Sequence, residues 1–317
     1  LTERSDERDA PLDDGRVVAS HGRRVEVEDR SGRRFPCGLH GRKLSVVCGD
    51  DVRWRPGDAE SEGRVYEVRA RRATLERLNA LGDAEPVVAN LTQLVAVAAP
   101  RPAPDWYVVD RYLAGAAWAG VTALIAFNKC ELGADATVAA ELAGYAAIGY
   151  PIVECSAKSA PGVAALAARL GGHVSVLVGQ SGTGKSSLLN ALAPEARAVT
   201  QEISEATEQG RHTTTNAVLH RLAGGGDLID SPGVRDYAPP LPTERTVGTG
   251  YREIARLAAG CRFQDCLHLT EPACAVRGAV DEGRVSPRRY ESYRRLAQLA
   301  KEFAARRPER RPRDRLR

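Results

Sequence analysis

Residues 174–192 read VSVLVGQSGTGKSSLLNAL, an apolar run, a glycine-rich turn and a second run suited to a helix. The turn, Gly179 to Ser186, has the spacing of a Walker A phosphate loop, and it sits between strand and helix as that motif requires. Glycines at 179, 182 and 184 let backbone N–H groups turn toward phosphate oxygens, and the positive end of the following helix favours the anion. The expected phosphate cradle is Gly179, Gln180, Ser181, Gly182, Thr183, Gly184, Lys185, Ser186 and Ser187. Lys185 is assigned to the β- and γ-phosphates and Ser186 to a Mg²⁺ ion.

Working outward, Asp230 to Gly233 reads DSPG after the apolar run DLI. It matches the DxxG element, in which Asp230 lies near Mg²⁺ and the Gly233 N–H meets the γ-phosphate. Between the two lies GRHTTT, Gly210 to Thr215, where Thr213 or Thr214 is the candidate ion ligand. Upstream, NKCE supplies Asn128, Lys129 and Glu131, a set resembling the NKxD guanine-reading motif, whose carboxylate accepts from guanine N1 and N2. Adenine offers no matching donors, but Glu131 is one methylene longer than aspartate, which leaves purine selectivity open. Ser156, Ala157 and Lys158 form SAK, a triplet that supports the guanine ring in GTPases. The order along the chain is NKxE, SAK, Walker A, threonine loop, DxxG. Ordinary GTPases run Walker A, threonine loop, DxxG, NKxD, SAK, so the arrangement is a circular permutation. It places the break just after DxxG and suggests that γ-phosphate loss repositions whatever follows.

At 317 residues the chain is long enough for two or three domains. From Gly15 to Arg72, short alternating segments broken by Gly, Asp and Ser predict an all-β unit, an OB-fold barrel or else an SH3-like one. ATLERLNALGDAE predicts a short helix or linker over 73–85. From 86 to 242, fully apolar runs alternating with helical stretches predict an α/β domain with a mostly parallel sheet. Residues 243–304 read as a helical, cysteine-bearing domain, ending in a helix from Ser286 to Ala304. The ends, 1–14 and the basic tail 305–317, are read as disordered.

The net charge of +4 is modest, yet arginine is concentrated toward both ends, and such patches attract polyanions such as RNA. No apolar run approaches the roughly 20 residues that cross a bilayer, and the charged N-terminus lacks a signal-like core, so a cytoplasmic protein is expected. Seven cysteines is an odd number. Cys261, Cys266, His268 and Cys274, in CRFQDCLHLTEPAC, supply three thiolates and an imidazole, the donor set preferred by structural Zn²⁺.

Together GQSGTGKSSLLNAL, GRHTTT, LIDSPG and CRFQDCLHLTEPACAV resemble the ribosome small-subunit-dependent GTPase A family, also called RsgA or YjeQ, over nearly the whole chain. The resemblance implies an OB-fold, a circularly permuted GTPase domain and a zinc-finger domain. It also implies a role late in assembly of the small ribosomal subunit, with rRNA as partner and release after GTP hydrolysis. The chain departs from the family at Glu131, where Asp is usual, and at Ala273, where Gly precedes the last cysteine. Val234 stands where many GTPases carry a water-orienting glutamine, and the resemblance points to His212 for that role. A monomer suits docking on a much larger particle. Two other readings are an RNA-binding scaffold that senses GTP and GDP with little turnover, and an ATP-using phosphotransferase, for which NKCE and SAK would be coincidences.

Overall fold

A computed structural model describes residues 11–57, 61–79, 83–195, 216–235 and 237–306. The chain opens with strands β1 (Asp13–His21), β2 (Arg24–Glu28), β3 (Arg34–Leu39), β4 (Asp51–Arg55) and β5 (Gly63–Val68). They are ordered β1-β2-β3-β5-β4, and β4 pairs back with β1, so the sheet closes into a barrel. β3 and β5 run parallel while the other pairs are antiparallel. Val17, Val25, Val27, Val52, Trp54 and Val65 fill the interior. This is the OB-type barrel expected from the alternating segments. Its first strand starts earlier than the reading of 1–14 as disordered allowed, because Asp13 and Asp14 pair with Trp54 and Arg53. Asp14 also accepts hydrogen bonds from Arg30 and Arg69.

The stretch read as helix or linker is instead a hairpin of β6 (Thr74–Leu78) and β7 (Ala84–Ala89). Helix-favouring residues are overridden here by burial, since Leu75 and Val88 are fully enclosed in the neighbouring core. At the turn, Asn79 donates its N–H to the Asp83 carbonyl and accepts the Asp83 N–H at its side-chain oxygen. Residue 86 therefore marks the middle of a strand.

The central sheet contains β8 (Gln93–Ala98), β9 (Thr122–Phe127), β10 (Ile152–Glu154), β11 (Val174–Val178), β12 (Asn216–Arg221) and β13 (Asp227–Asp230). Its order is β10-β9-β8-β11-β13-β12, parallel except for β12. Helices α1 (Trp106–Trp118), α2 (Ala136–Ala147), α3 (Ala160–Leu170) and α4 (Lys185–Leu192) cover it. Alternate residues of one strand enter different cores: Leu94 and Ala96 pack with α1 and α2, Val95 and Val97 with α3 and α4. That two-sided burial is why these strands read as continuous apolar runs. Each buried Val or Leu contributes about 1.5–3 kcal/mol relative to exposure.

β12 pairs with β13 on one side and with barrel strand β1 on the other, which makes barrel and central sheet one eleven-stranded system. An irregularity between Val17 and Ala19 lets β1 serve both. Val17 lies in the barrel core and Val18 in the sheet core. Arg16 to Asp227 and Arg221 to Glu28, each 2.7 Å, reinforce the join.

After β13 come α5 (Pro232–Arg235), a 3₁₀ segment (Glu244–Gly250), α6 (Arg252–Ala258), α7 (Ala275–Asp281) and α8 (Pro287–Arg306). α8 extends two residues past the Ala304 end expected from sequence. This unit shares a core with α1 through Ala114. A buried ionic cluster adds to the contact: Asp110 of α1 receives Arg289 at 2.5 Å and Arg288 at 2.7 Å, and Arg289 also binds Glu253. Among the described residues, no helix is long and apolar enough to cross a membrane.

Candidate functional site

The phosphate-loop strand β11 lies between β8 and β13, and the chain leaves the sheet in opposite directions on its two sides. Ligands of open parallel sheets bind at the carboxyl ends of strands beside such a switch point. Gly179 to Gly184 leave β11 at that end, and Gly184 opens α4 with φ 93°. A Cβ on Gly184 would stand 2.3 Å from the Asn128 amide nitrogen, so both conformation and space demand glycine there. Gly179 is as tightly held, its absent Cβ falling 2.4 Å from the Val97 carbonyl oxygen. The Lys185 ammonium donates to the Gly179 and Gln180 carbonyls at 2.6 and 2.8 Å. Thr183 is buried and donates its hydroxyl to the Gln180 carbonyl, closing the turn. Ser181 and Gly182 are exposed at the loop's outer edge, and Ser186 and Ser187 are exposed on the first turn of α4.

Asn128 follows β9 and is 1% exposed. Its amide donates to the Thr183 carbonyl at 2.9 Å and its oxygen accepts the Ala157 N–H at 3.1 Å. One side chain thus ties the NKCE, SAK and Walker A peptides together. Lys129, left-handed at φ 58°, donates across the loop to the Gly182 and Arg101 carbonyls at 2.6 and 2.9 Å. Glu131 is exposed in the 3₁₀ turn Cys130–Leu132. Its carboxylate is held below the usual range by a hydrogen bond with the Ser156 side chain, by its own backbone N–H, and by the charges of Lys158 and Lys129. Ser156 is buried and its oxygen accepts the Lys158 N–H at 3.2 Å. The result is an ionised acceptor flanked by two lysine stems at the carboxyl ends of β9 and β10.

Asp230 ends β13 beside β11, and Gly233 follows in α5. Lys185, Ser186, Asp230 and Ser231 line one small cavity. Val234 is a core residue, so it turns away from any water at the site. His212, Thr213 and Thr214 lie outside the described residues. Gln180, expected in the cradle, also accepts the Asp105 N–H at 2.8 Å and so fixes the start of α1 against the loop. Sequence reasoning missed one contributor, Ser231, whose hydroxyl is buried. The orphan hydroxyl has no signature in residue order and emerges only from packing.

A second cluster lies in the C-terminal unit. The donor atoms of Cys261, Cys266, His268 and Cys274 all fall within 4.8 Å of one another. Cys261 Sγ lies 3.4 Å from His268 Nδ1 and 3.9 Å from Cys274 Sγ, and Cys274 Sγ lies 3.6 Å from the same nitrogen. Tetrahedral coordination with metal–sulfur bonds of about 2.3 Å requires donor separations of roughly 3.5–3.8 Å, so the set can hold a metal ion. Burial pushes the Cys266 thiol up to about 12 and His268 below its usual value, so burial favours the uncharged form of each and a bound cation is what would ionise the thiol. Tyr290 donates to the His268 carbonyl at 2.6 Å, and Glu271 accepts the N–H groups of Leu267, Leu269 and Thr270. These bonds fix the loop that carries the histidine. Ala273, next to the last cysteine of the cluster, has φ 54°.

Residues 68–239 match the sequence profile of the RsgA GTPase family. The protein of Azotobacter vinelandii named small ribosomal subunit biogenesis GTPase RsgA is 42% identical over 293 residues, which is 90% of this chain and 85% of that one. The Pseudomonas putida protein of the same name is 42% identical over 296 residues, 91% of this chain and 86% of its own length. Among solved structures, YjeQ from Thermotoga maritima superposes with a TM-score of 0.73 at 30% identity, covering 93% of this chain and all of that one. YloQ, described as a circularly permuted GTPase, gives 0.72 at 26% identity, covering 94% and 97%. With the phosphate loop, the permuted order of its companion peptides and this agreement along nearly the whole length, the chain belongs to the RsgA GTPase family.

Proposed function

We propose that this protein hydrolyses GTP to GDP and phosphate in response to the small ribosomal subunit, and that hydrolysis times its departure during the subunit's biogenesis. The observation that carries the reading is the bridging of three motif peptides by Asn128, which brings an ionised Glu131 and the Walker A loop to one edge of the sheet. The name shared by the relatives supports the partner. The barrel and the C-terminal unit flank the site as surfaces for rRNA.

In this mechanism the amides of Gly179 to Ser186 hold the phosphates in line for attack, and Lys185 leaves its loop carbonyls to meet the developing negative charge. Ser186, Asp230 and Thr213 or Thr214 would hold Mg²⁺, which would supply neutralisation of the phosphate charge. Gly233 senses the γ-phosphate. His212 orients the attacking water, since Val234 is committed to the core. Glu131 reads guanine with Asn128, Lys129, Ser156, Ala157 and Lys158 around it. Zn²⁺ is the ion suited to Cys261, Cys266, His268 and Cys274; with every tetrahedral position filled by protein it is structural. The protein acts as a monomer in the cytoplasm, where ribosome assembly takes place.

The test is GTP turnover against increasing small subunits, with large subunits as control. Stimulation by small subunits alone is the expected result, and a His212→Ala protein should bind GTP normally but lose that stimulation. Turnover indifferent to small subunits would contradict the reading.

A further inference from the structure

Ser231 follows Asp230 at the carboxyl end of β13 and is 2% exposed. Its hydroxyl has no hydrogen-bond partner among the described residues. The main chain cannot simply swing it outward, because the Ser231 carbonyl accepts the Val234 N–H at 3.0 Å and Val234 is locked in the core. A buried hydroxyl left unpaired destabilises the fold, so its persistence calls for a reason. The small cavity it lines has Leu177, Leu189, Leu228 and Ile229 as apolar walls, and Lys185, Ser186 and Asp230 as the remaining polar ones. The apolar walls offer it nothing.

We propose that Ser231 is a positioning residue for the magnesium ion that accompanies the nucleotide: its hydroxyl pairs with a water of the ion's hydration shell, beside Asp230. This rests on the reading of the cavity as the magnesium end of a GTP site. Mg²⁺ gives up its waters reluctantly and keeps several of them in nucleotide sites. Those waters are polarised donors, and the serine oxygen, walled from bulk solvent, is an acceptor with nothing else to receive. Because the DSPG turn already holds this hydroxyl in place, a water of the ion's shell meets a fixed acceptor and ion binding gains from it. A phosphate oxygen is the competing partner, and it differs in not depending on the metal.

The experiment compares wild type, Ser231→Ala and Ser231→Cys, the last keeping the volume with a weak hydrogen-bonding group. Two quantities are read: the thermal midpoint of nucleotide-free protein, and the affinity for a fluorescent GDP in EDTA and across a Mg²⁺ titration. The expected result is that both variants melt at or above wild type, bind the nucleotide equally in EDTA, and need about tenfold more Mg²⁺ for half-effect. Variants that melt below wild type with an unchanged Mg²⁺ response would give Ser231 a structural role and overturn the proposal. An equal loss of affinity with and without Mg²⁺ would assign the hydroxyl to phosphate and overturn it too. A wild-type protein whose nucleotide affinity ignores Mg²⁺ would instead defeat the underlying reading of the cavity, and the proposal with it.

Discussion

The side-chain amide of Asn128 lies 2.9 Å from the carbonyl oxygen of Thr183, joining the end of β9 to a phosphate loop 55 residues further along the chain. In an unpermuted GTPase the corresponding peptides occur in the reverse order. Asn128 is buried and satisfies both Ala157 and Thr183. Asn128→Ala should therefore lower the stability of the nucleotide-free protein by about 1–3 kcal/mol, the cost of orphaning buried groups. Denaturant unfolding without nucleotide measures this, and fluorescent-GDP binding should weaken at least about tenfold as the loop loses its tie.

Ala273 holds a left-handed backbone at φ 54° next to Cys274 of the cysteine–histidine cluster. That conformation is strained by about 1–2 kcal/mol for a residue with a Cβ, while glycine loses part of the gain through its freer unfolded chain. Ala273→Gly should stabilise the protein by about 0.5–1 kcal/mol, seen as a higher urea midpoint with unchanged slope.

Asp110 is 1% exposed and faces two arginines of α8 and the Tyr145 hydroxyl at once. Removing the carboxylate leaves Arg289, itself 4% exposed, with Glu253 alone. Asp110→Ala should cost about 3–5 kcal/mol, as expected when one partner of a buried ionic cluster is deleted. Hydrogen exchange should show α8 opening before the central sheet.

Metal analysis of undenatured protein should find one zinc per chain. Cys266→Ser should abolish it and selectively loosen the segment 261–274, because folding of that loop and metal binding are coupled. Full zinc occupancy in the variant would remove Cys266 from the ligand set.

Much of this was legible from residue order. The Walker A spacing and the apolar runs fixed the central sheet because two-sided burial leaves a pattern that periodicity reveals. The cysteine spacing likewise pointed to a loop whose donor atoms can gather around one metal ion. The hairpin at Thr74–Ala89 was not legible, since Leu75 and Val88 become core only after the barrel and sheet meet. The annealing of β12 to β1 was hidden for the same reason: β12 follows the threonine loop and shows no motif. Ala273 was recognisable as a departure, but its positive φ emerged only in the fold.

With Glu131 doing what aspartate does elsewhere, NKCE, SAK and the phosphate loop should together select a guanine nucleotide. Competition against a bound fluorescent GDP measures that selectivity. Unlabelled GTP and GDP should displace the probe, while ATP at a hundredfold excess, about 2.7 kcal/mol of discrimination, should not. Displacement by ATP and GTP at equal concentrations would contradict it.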